Sequence, residues 1–333
     1  MSRFDKKALE EVPQKRLMCK AKAQWKLIFF VVGLILVVPL FVMVVQYIHS
    51  NPSLLLPPYL GQGGIFNRTR VFSHPRESPQ LHDLPGYISM TTLQPLRLHC
   101  DLCSIVSSSG QMLGQRAGSL IDRSACVWRM NNAPTAGFET DVGTRTTIRV
   151  VSHTSVPLLT QRQQHYFGEA NGTIYVIWGP YRNMRQDGKG STYNALRQIA
   201  RSYPHAKIYL TTEERMNYCD KVFQQETGKD RMQSGTYLST GWFTLLLAMD
   251  VCQKIHIFGM INDTYCRAEG RKKVPYHYYE AGSQDECEKY AIHENALRGG
   301  HRFITEKAVF AKWAKTHNIT FSHPASIYPE SGS

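Results

Sequence analysis

The chain has 333 residues, enough for one or two domains with a sizeable core. A charged fraction of 20% and a hydrophobic fraction of 42% exclude a disordered or collagen-like chain. The formal net charge is +13, but no Lys/Arg-rich run interleaved with aromatics occurs, so the basic balance suits an anionic ligand and gives no reason to expect nucleic acid.

The first 26 residues form a basic tail with eight Lys or Arg against three Asp or Glu. Residues 27–45 follow without a charge. At about 1.5 Å per residue they span roughly 28 Å, the thickness of a bilayer core, and Pro39 is tolerated in such a helix. Residues 46–66 carry no Lys or Arg, so the charge asymmetry puts the N-terminus in the cytosol and the remainder outside or in the lumen. The apolar run is too long for a cleaved leader and ends without an A-x-A-like site, which makes it an uncleaved anchor. Sequons at Asn67, Asn171, Asn262 and Asn318 and seven of the eight cysteines lie beyond it, as a lumenal location allows. Residues 46–98 hold seven of the 16 prolines and read as an extended stem. The expected organisation is a cytoplasmic tail (1–26), a transmembrane signal-anchor (27–45), a stem (46–98) and a lumenal domain (99–333).

From residue 100 onward, short apolar strands alternate with helical stretches. Strands are expected at residues 104–107, 125–129, 147–151, 173–178, 207–210 and 254–258. Helices are expected at 191–203, 212–227, 242–249 and 303–316. The helix at 242–249 is apolar nearly all round and should be buried. The alternation predicts one α/β domain with a mostly parallel twisted sheet, whose ligand sits beyond the carboxyl ends of the strands.

Several short stretches admit a chemical role beside an ordinary structural one. Ser239-Thr240-Gly241 precedes the apolar helix. It is either a plain helix cap or an anion site made of N–H groups and the helix dipole. Asn131, at a strand end, is either part of an Asn-Pro turn or a donor and acceptor for a ligand. His277, in His-Tyr-Tyr-Glu, and His301, at the start of the last helix, are two of 13 histidines. A neutral imidazole with a pKa of about 6.5 suits a general base. Cys100-x-x-Cys103 has no second Cys-x-x-Cys or His pair to complete a zinc site. No Asp-x-Asp occurs that would hold a divalent cation against a nucleoside diphosphate. The glycines after the first strand have the wrong spacing for a dinucleotide fingerprint.

Taken together, these stretches resemble a known family. Residues 103–151, with Arg129-Met130-Asn131-Asn132-Ala133-Pro134 and Asp141-Val142-Gly143-Thr144-Arg145, closely resemble the large sialylmotif of animal sialyltransferases, glycosyltransferase family 29. Tyr237-Leu238-Ser239-Thr240-Gly241 through Gly259 is similar to the small sialylmotif. His277-Tyr278-Tyr279-Glu280 resembles motif III, and His301-x-x-x-x-Glu306 the very small motif. Within the family, residues 100–112 and 148–159 resemble the GalNAc α2,6-sialyltransferases of types III to VI, and type VI in particular.

The resemblance implies a single Rossmann-like domain, a variant of the GT-A type, in a type II Golgi membrane protein. It implies CMP-sialic acid as donor substrate, no cofactor and no metal. The implied acceptor is a sialylated Neu5Ac-α2,3-Gal-β1,3-HexNAc glycan on a glycolipid such as a ganglioside, or on a glycoprotein, extended at the 6-hydroxyl of GalNAc or GlcNAc with inversion. It implies His301 as general base, His277 on the donor side, and Ser108, Asn131, Tyr237, Ser239, Thr240 and Gly241 as donor contacts. It pairs Cys103 with Cys252 and, as a second pair, Cys266 with Cys287. Relatives often carry Asn-Ser-Gly where this chain has Ser108-Ser109-Gly110, a shorter side chain at a nucleotide contact. The competing readings are a sialyltransferase of another linkage, such as α2,3 to galactose, and a non-enzymatic membrane-anchored glycan-binding protein.

Overall fold

A computed structural model describes residues 83–168 and 172–322. The tail, anchor and most of the expected stem lie outside these residues, as do Asn67 and Asn171. Among the described residues no helix is long and apolar enough to cross a membrane.

The described residues build a nine-stranded sheet in the order β2-β1-β7-β6-β5-β4-β3-β8-β9. The strands are β1 (Asp83–Ser89), β2 (Pro95–Arg97), β3 (Cys100–Val106), β4 (Cys126–Met130), β5 (Ile148–Ser152), β6 (Ile174–Trp178), β7 (Lys207–Thr211), β8 (Cys252–Phe258) and β9 (Ile319–Ser322). β3 to β9 pair in parallel, while β1 pairs antiparallel with β2 and β7 at one edge. The longer helices are α1 (Ser191–Ser202), α2 (Glu213–Thr227), α3 (Thr240–Val251), α4 (Glu286–Asn295) and α5 (Phe303–Trp313).

Every residue of β4 and β5 is buried, because helices cover both faces of the sheet. This is why those strands read as mostly apolar and not as alternating ones, each broken only by a buried arginine, Arg129 or Arg149, whose guanidinium bonds backbone carbonyls. One face takes α3 (Trp242, Leu245 and Leu246 among its core residues) together with Phe223 of α2 and Phe310 and Trp313 of α5. The other takes Leu196 and Ile199 of α1 against Val151, Ile177 and Ile208.

The stem expectation needs correcting at its C-terminal end. β1 and β2 fall inside residues 46–98 yet belong to the sheet. Pro85 and Pro95 made the segment look unpaired, but Pro95 opens the edge strand β2, and Pro85 falls where the β1–β2 register shifts between Leu84 and Ile88; both settings accommodate proline. β9 and α4 were also not anticipated.

Disulfides join the three neighbouring strands β4, β3 and β8. Cys100 pairs with Cys126 and Cys103 with Cys252, linking β3 to β4 and β3 to β8. Cys266 pairs with Cys287 at the start of α4. Cys219 is free and buried.

Candidate active site

The chain lays down β3 to β7 outward in one direction, then returns to place β8 on the other side of β3. At such a switch point the connections leaving the carboxyl ends diverge and leave a crevice. A cleft of about 1330 Å³ opens there. Ser108, Asn131, Tyr237, Ser239, Thr240, Gly241, His277 and His301 all line it. Residues separated by up to 193 positions in sequence therefore meet on one surface.

Ser239 caps α3, its hydroxyl accepting from the Trp242 N–H at 3.1 Å. The cap is itself held: the Ser239 N–H donates to Glu306 Oε1 at 2.9 Å, and the Ser239 hydroxyl donates to Glu306 Oε2. The backbone N–H groups of Thr240 and Gly241 have no partner among the described residues. They lie in the first turn of a 12-residue helix, where the dipole adds positive potential. The structural and the anion-binding readings of this stretch thus describe the same geometry.

The loop after β4 is fixed through its carbonyls. Arg149 Nη1 donates to the carbonyls of Asn131 at 2.8 Å and Ala133 at 3.1 Å. The Tyr166 hydroxyl donates to Asn132 O at 2.9 Å, and the Tyr278 hydroxyl to Pro134 O. Asn131 adopts φ +49°, a left-handed conformation that Asn tolerates. Its Oδ1 accepts from the Ser152 N–H at 3.0 Å and stands 3.5 Å from the Thr240 hydroxyl. The turn predicted here is real, and it aims the Asn131 side chain across the cleft floor toward α3.

The loop after β3 is bound to the motif III segment. Gly110 N–H donates to Pro275 O at 3.0 Å, and Tyr278 N–H to Ser108 O at 2.9 Å. A Cβ on Gly110 would lie 2.5 Å from that Pro275 carbonyl oxygen, so the close approach requires glycine. His277 stacks on Tyr279, ring centroids 5.1 Å apart. Its Nδ1 lies 3.0 Å from Glu280 Oε1, without the alignment of a hydrogen bond.

His301 enters the cleft from a turn held by pairing of residues 235–237 with 299–301: Gly299 N–H donates to Gly235 O at 2.8 Å and Tyr237 N–H to Gly300 O at 2.9 Å. His301 Nδ1 stands 3.0 Å from Tyr237 O. A carbonyl only accepts, so Nδ1 carries the hydrogen and Nε2 keeps its lone pair. The His293 ring stacks on it with centroids 5.6 Å apart. Burial, which disfavours the charged form, holds the His301 pKa below its usual value, against the pull of the Tyr237 carbonyl.

Glu306, Glu286 and Lys307 were not selected as site residues from sequence. Glu306 carried a motif signal, but no local pattern announced that its carboxyl would hold Ser239. Burial pushes its pKa up to about 7, against the Ser239 hydrogen bonds.

Of the two sequons within the described residues, Asn318 is exposed and Asn262 is partly buried in a turn that its own side chain closes with Thr264 and Tyr265. Among the described residues, the one cluster of His, Cys, Asp or Glu close enough to ligate a metal is Cys100, Cys103 and Cys126. All three sulfurs are committed to disulfides.

Residues 68–317 match the family model described as glycosyltransferase family 29 (sialyltransferase). The chain is 61% identical over 285 residues to human alpha-N-acetylgalactosaminide alpha-2,6-sialyltransferase 3, covering 86% of this chain and 92% of that one. It is 53% identical over 254 residues to human alpha-N-acetyl-neuraminyl-2,3-beta-galactosyl-1,3-N-acetyl-galactosaminide alpha-2,6-sialyltransferase, covering 76% and 84%. To human alpha-N-acetylgalactosaminide alpha-2,6-sialyltransferase 6 it is 42% identical over 242 residues, 72% of each chain. These relatives fall within the subgroup expected from the motifs, and the identity to the type 3 relative exceeds that to the type 6 relative.

Proposed function

The chain belongs to glycosyltransferase family 29, the sialyltransferases, and from that premise we propose that it moves sialic acid from CMP-sialic acid to the 6-hydroxyl of GalNAc, or GlcNAc, in a Neu5Ac-α2,3-Gal-β1,3-HexNAc acceptor on a glycolipid or glycoprotein. The names of the relatives support the linkage, and one of them specifies an acceptor that already carries sialic acid.

The observation that carries the chemistry is the His301 tautomer. With Nδ1–H donating to Tyr237 O, Nε2 accepts the proton of the acceptor 6-hydroxyl. The acceptor oxygen attacks the anomeric carbon of sialic acid as the bond from that carbon to the phosphate oxygen breaks. The bonding pair leaves with CMP, and the configuration inverts. The N–H groups of Thr240 and Gly241, with Tyr237 and His277, stabilise the phosphate and carboxylate as charge moves onto the leaving group. Ser108 and Asn131 contact the nucleotide, whose binding orients the reacting pair. CMP is a monophosphate and already leaves readily, so this scheme assigns no task to a divalent cation. Turnover of CMP-sialic acid is measured against acceptors with and without the α2,3-linked sialic acid, with linkage analysis of the product. A disialylated product with one new α2,6 linkage beside the existing α2,3 linkage, and full activity in EDTA, are expected. An α2,3 product, or loss of turnover in EDTA reversed by Mn²⁺, would overturn the reading.

The same reading places the protein in the Golgi membrane as a single-pass type II protein, anchored by residues 27–45 with its catalytic domain lumenal. Its support is the charge asymmetry around that segment and the position of the sequons. N-glycans are expected on some of Asn67, Asn171, Asn262 and Asn318, with Asn318 the more accessible of the two described sites. Endoglycosidase treatment of the cell-expressed protein should increase its electrophoretic mobility; unchanged mobility would count against lumenal exposure.

A further inference from the structure

The cleft extends past the donor loops to the carboxyl ends of β5, β6 and β7. Its wall there carries Trp178, the last residue of β6, then Gly179, Pro180 and a short helical turn, Tyr181–Met184. This segment is firmly held. A Cβ on Gly179 would lie 2.6 Å from the His153 Cβ, so the loops after β5 and β6 meet this closely only with glycine there. The Asn183 N–H donates to Pro180 O at 2.9 Å, and Met184 is buried in the core beneath. Arg182 sits on the same turn, exposed, and lines the cleft.

Among the described residues, four Lys or Arg side chains line the cleft: Arg182, Arg185, Arg231 and Lys307. Arg185 is committed to Asp187 and Arg231 to Asp220, while Lys307 is 7% exposed. Arg182 has no acidic partner among the described residues. Its one hydrogen bond there runs from Nε to Asn183 Oδ1 at 3.4 Å, which leaves both terminal nitrogens free. Two polar nitrogens beside it are also unmatched. Trp178 is 6% exposed, and neither its Nε1 nor the His153 Nδ1 has a hydrogen-bond partner among the described residues. The two rings meet edge to face with centroids 6.1 Å apart. Burial, and then the charge of Arg182, hold the His153 pKa below its usual value. Unpaired buried polar atoms are uncommon, and a corner with two of them beside a free guanidinium suits a polar, anionic group. On the far wall Glu213 and Glu214 open α2, and their charge keeps an anion on the Arg182 side.

β6 lies two strands from β4, about 10 Å at the usual strand spacing. The donor is assigned to the end of β4 and the start of α3, where Asn131 and Thr240 approach. The proposed acceptor carries its own sialic acid two sugar units from the reacting GalNAc, so that carboxylate lies away from His301 in the same cleft. We propose that Arg182 determines acceptor specificity: its guanidinium binds, as a two-pronged donor, the carboxylate of the sialic acid already present on the acceptor. The inference rests on the reading that the acceptor is a sialylated glycan.

Wild-type turnover of Neu5Ac-α2,3-Gal-β1,3-GalNAc tests that reading by itself, whereas the Arg182 contact is read by comparing this glycan with the methyl ester of its sialic acid. In the wild type, esterification should lower kcat/KM by about tenfold or more, the loss of a hydrogen bond between charged groups. Arg182→Gln should raise the KM for the free acid by a similar factor, about tenfold, and change kcat less. The variant should use acid and ester within about twofold of each other, because the partner of the carboxylate is gone. Arg182→Lys should recover part of the preference, as a point charge without the fork. The donor KM should stay at the wild-type value in both variants. Equal use of acid and ester by the wild type would leave the sialyltransferase reading in place and overturn the inference. An acid preference that survives in Arg182→Gln would overturn it too, and a raised donor KM there would make Arg182 a donor contact instead. No turnover of the sialylated glycan by the wild type would overturn the acceptor reading, and the inference with it.

Discussion

His301→Ala lowers kcat by about 10²–10⁴-fold, the usual contribution of a positioned base. Its affinity for CMP should stay near wild type, because the nucleotide is assigned to the loops after β3 and β4 and to the cap of α3. His277→Ala should behave differently. It sits on the motif III segment that binds the β3 loop, and the proposed function assigns it to the donor phosphate, so its removal should take away a hydrogen bond to a charged group worth about 1.5–3 kcal/mol. CMP binding should therefore weaken by roughly tenfold or more. Steady-state kinetics and calorimetric CMP titration of both variants separate the roles. Near-normal kcat in His301→Ala, or loss of CMP binding there with turnover of bound donor preserved, would reverse the assignment. Acidification supplies a second readout. Burial lowers the His301 pKa, so the free enzyme keeps this imidazole neutral down to below about 6.5 and loses the base only at lower pH. Glu306, at about 7, titrates separately through Ser239. The component below 6.5 should be absent from the residual activity of His301→Ala.

Replacing Cys103 and Cys252 together by alanine should produce the largest loss of stability. The bridge closes 149 residues, and the chain-entropy estimate for that length is about 5 kcal/mol. A domain's whole stability is on the order of 5–15 kcal/mol, so the variant should be marginal or fail to fold. Cys266–Cys287 closes 21 residues, for which the same estimate gives about 3 kcal/mol. Position adds to length: Cys103–Cys252 joins the parallel neighbours β3 and β8, which are far apart in the chain. Denaturant unfolding of the two double variants orders them. A Cys103→Ala/Cys252→Ala protein with a wild-type midpoint would refute the estimate, and free Cys103 in non-reducing peptide mapping would refute the pairing.

How much of this was legible in the residues differs from element to element. β4, β5 and β6 lie within about one residue of their expected bounds, because burial on both faces leaves apolar runs bounded by polar turns. α2 was delimited by Thr212 at its N-cap and Gly228 at its C-cap, where the backbone turns left-handed. β1 and β2 escaped because an edge strand (β2) and an irregularity in the ladder (β1, between Leu84 and Ile88) tolerate the prolines that elsewhere mark a stem. α4 escaped because its ten residues include three buried ones and no long apolar stripe.

The site divides in the same way. Ser239, Asn131, His277 and His301 were visible as residue types in short motifs, each with an equally good structural explanation. Sequence by itself determined the α/β class, the bounds of β4 to β6 along the chain and, through four motifs in order, the family. It could not determine which groups touch, because contacts across the cleft join residues far apart in the chain. Ser239 meets Glu306 over 67 positions, and Gln111 meets Glu286 over 175. Only the folded sheet, in which β8 returns to the free side of β3, brings those pairs together. Only burial in that fold turns Glu286, Glu306 and Lys307 from ordinary helix residues into groups whose charged forms are disfavoured, raising both carboxyl pKa values and lowering that of the lysine.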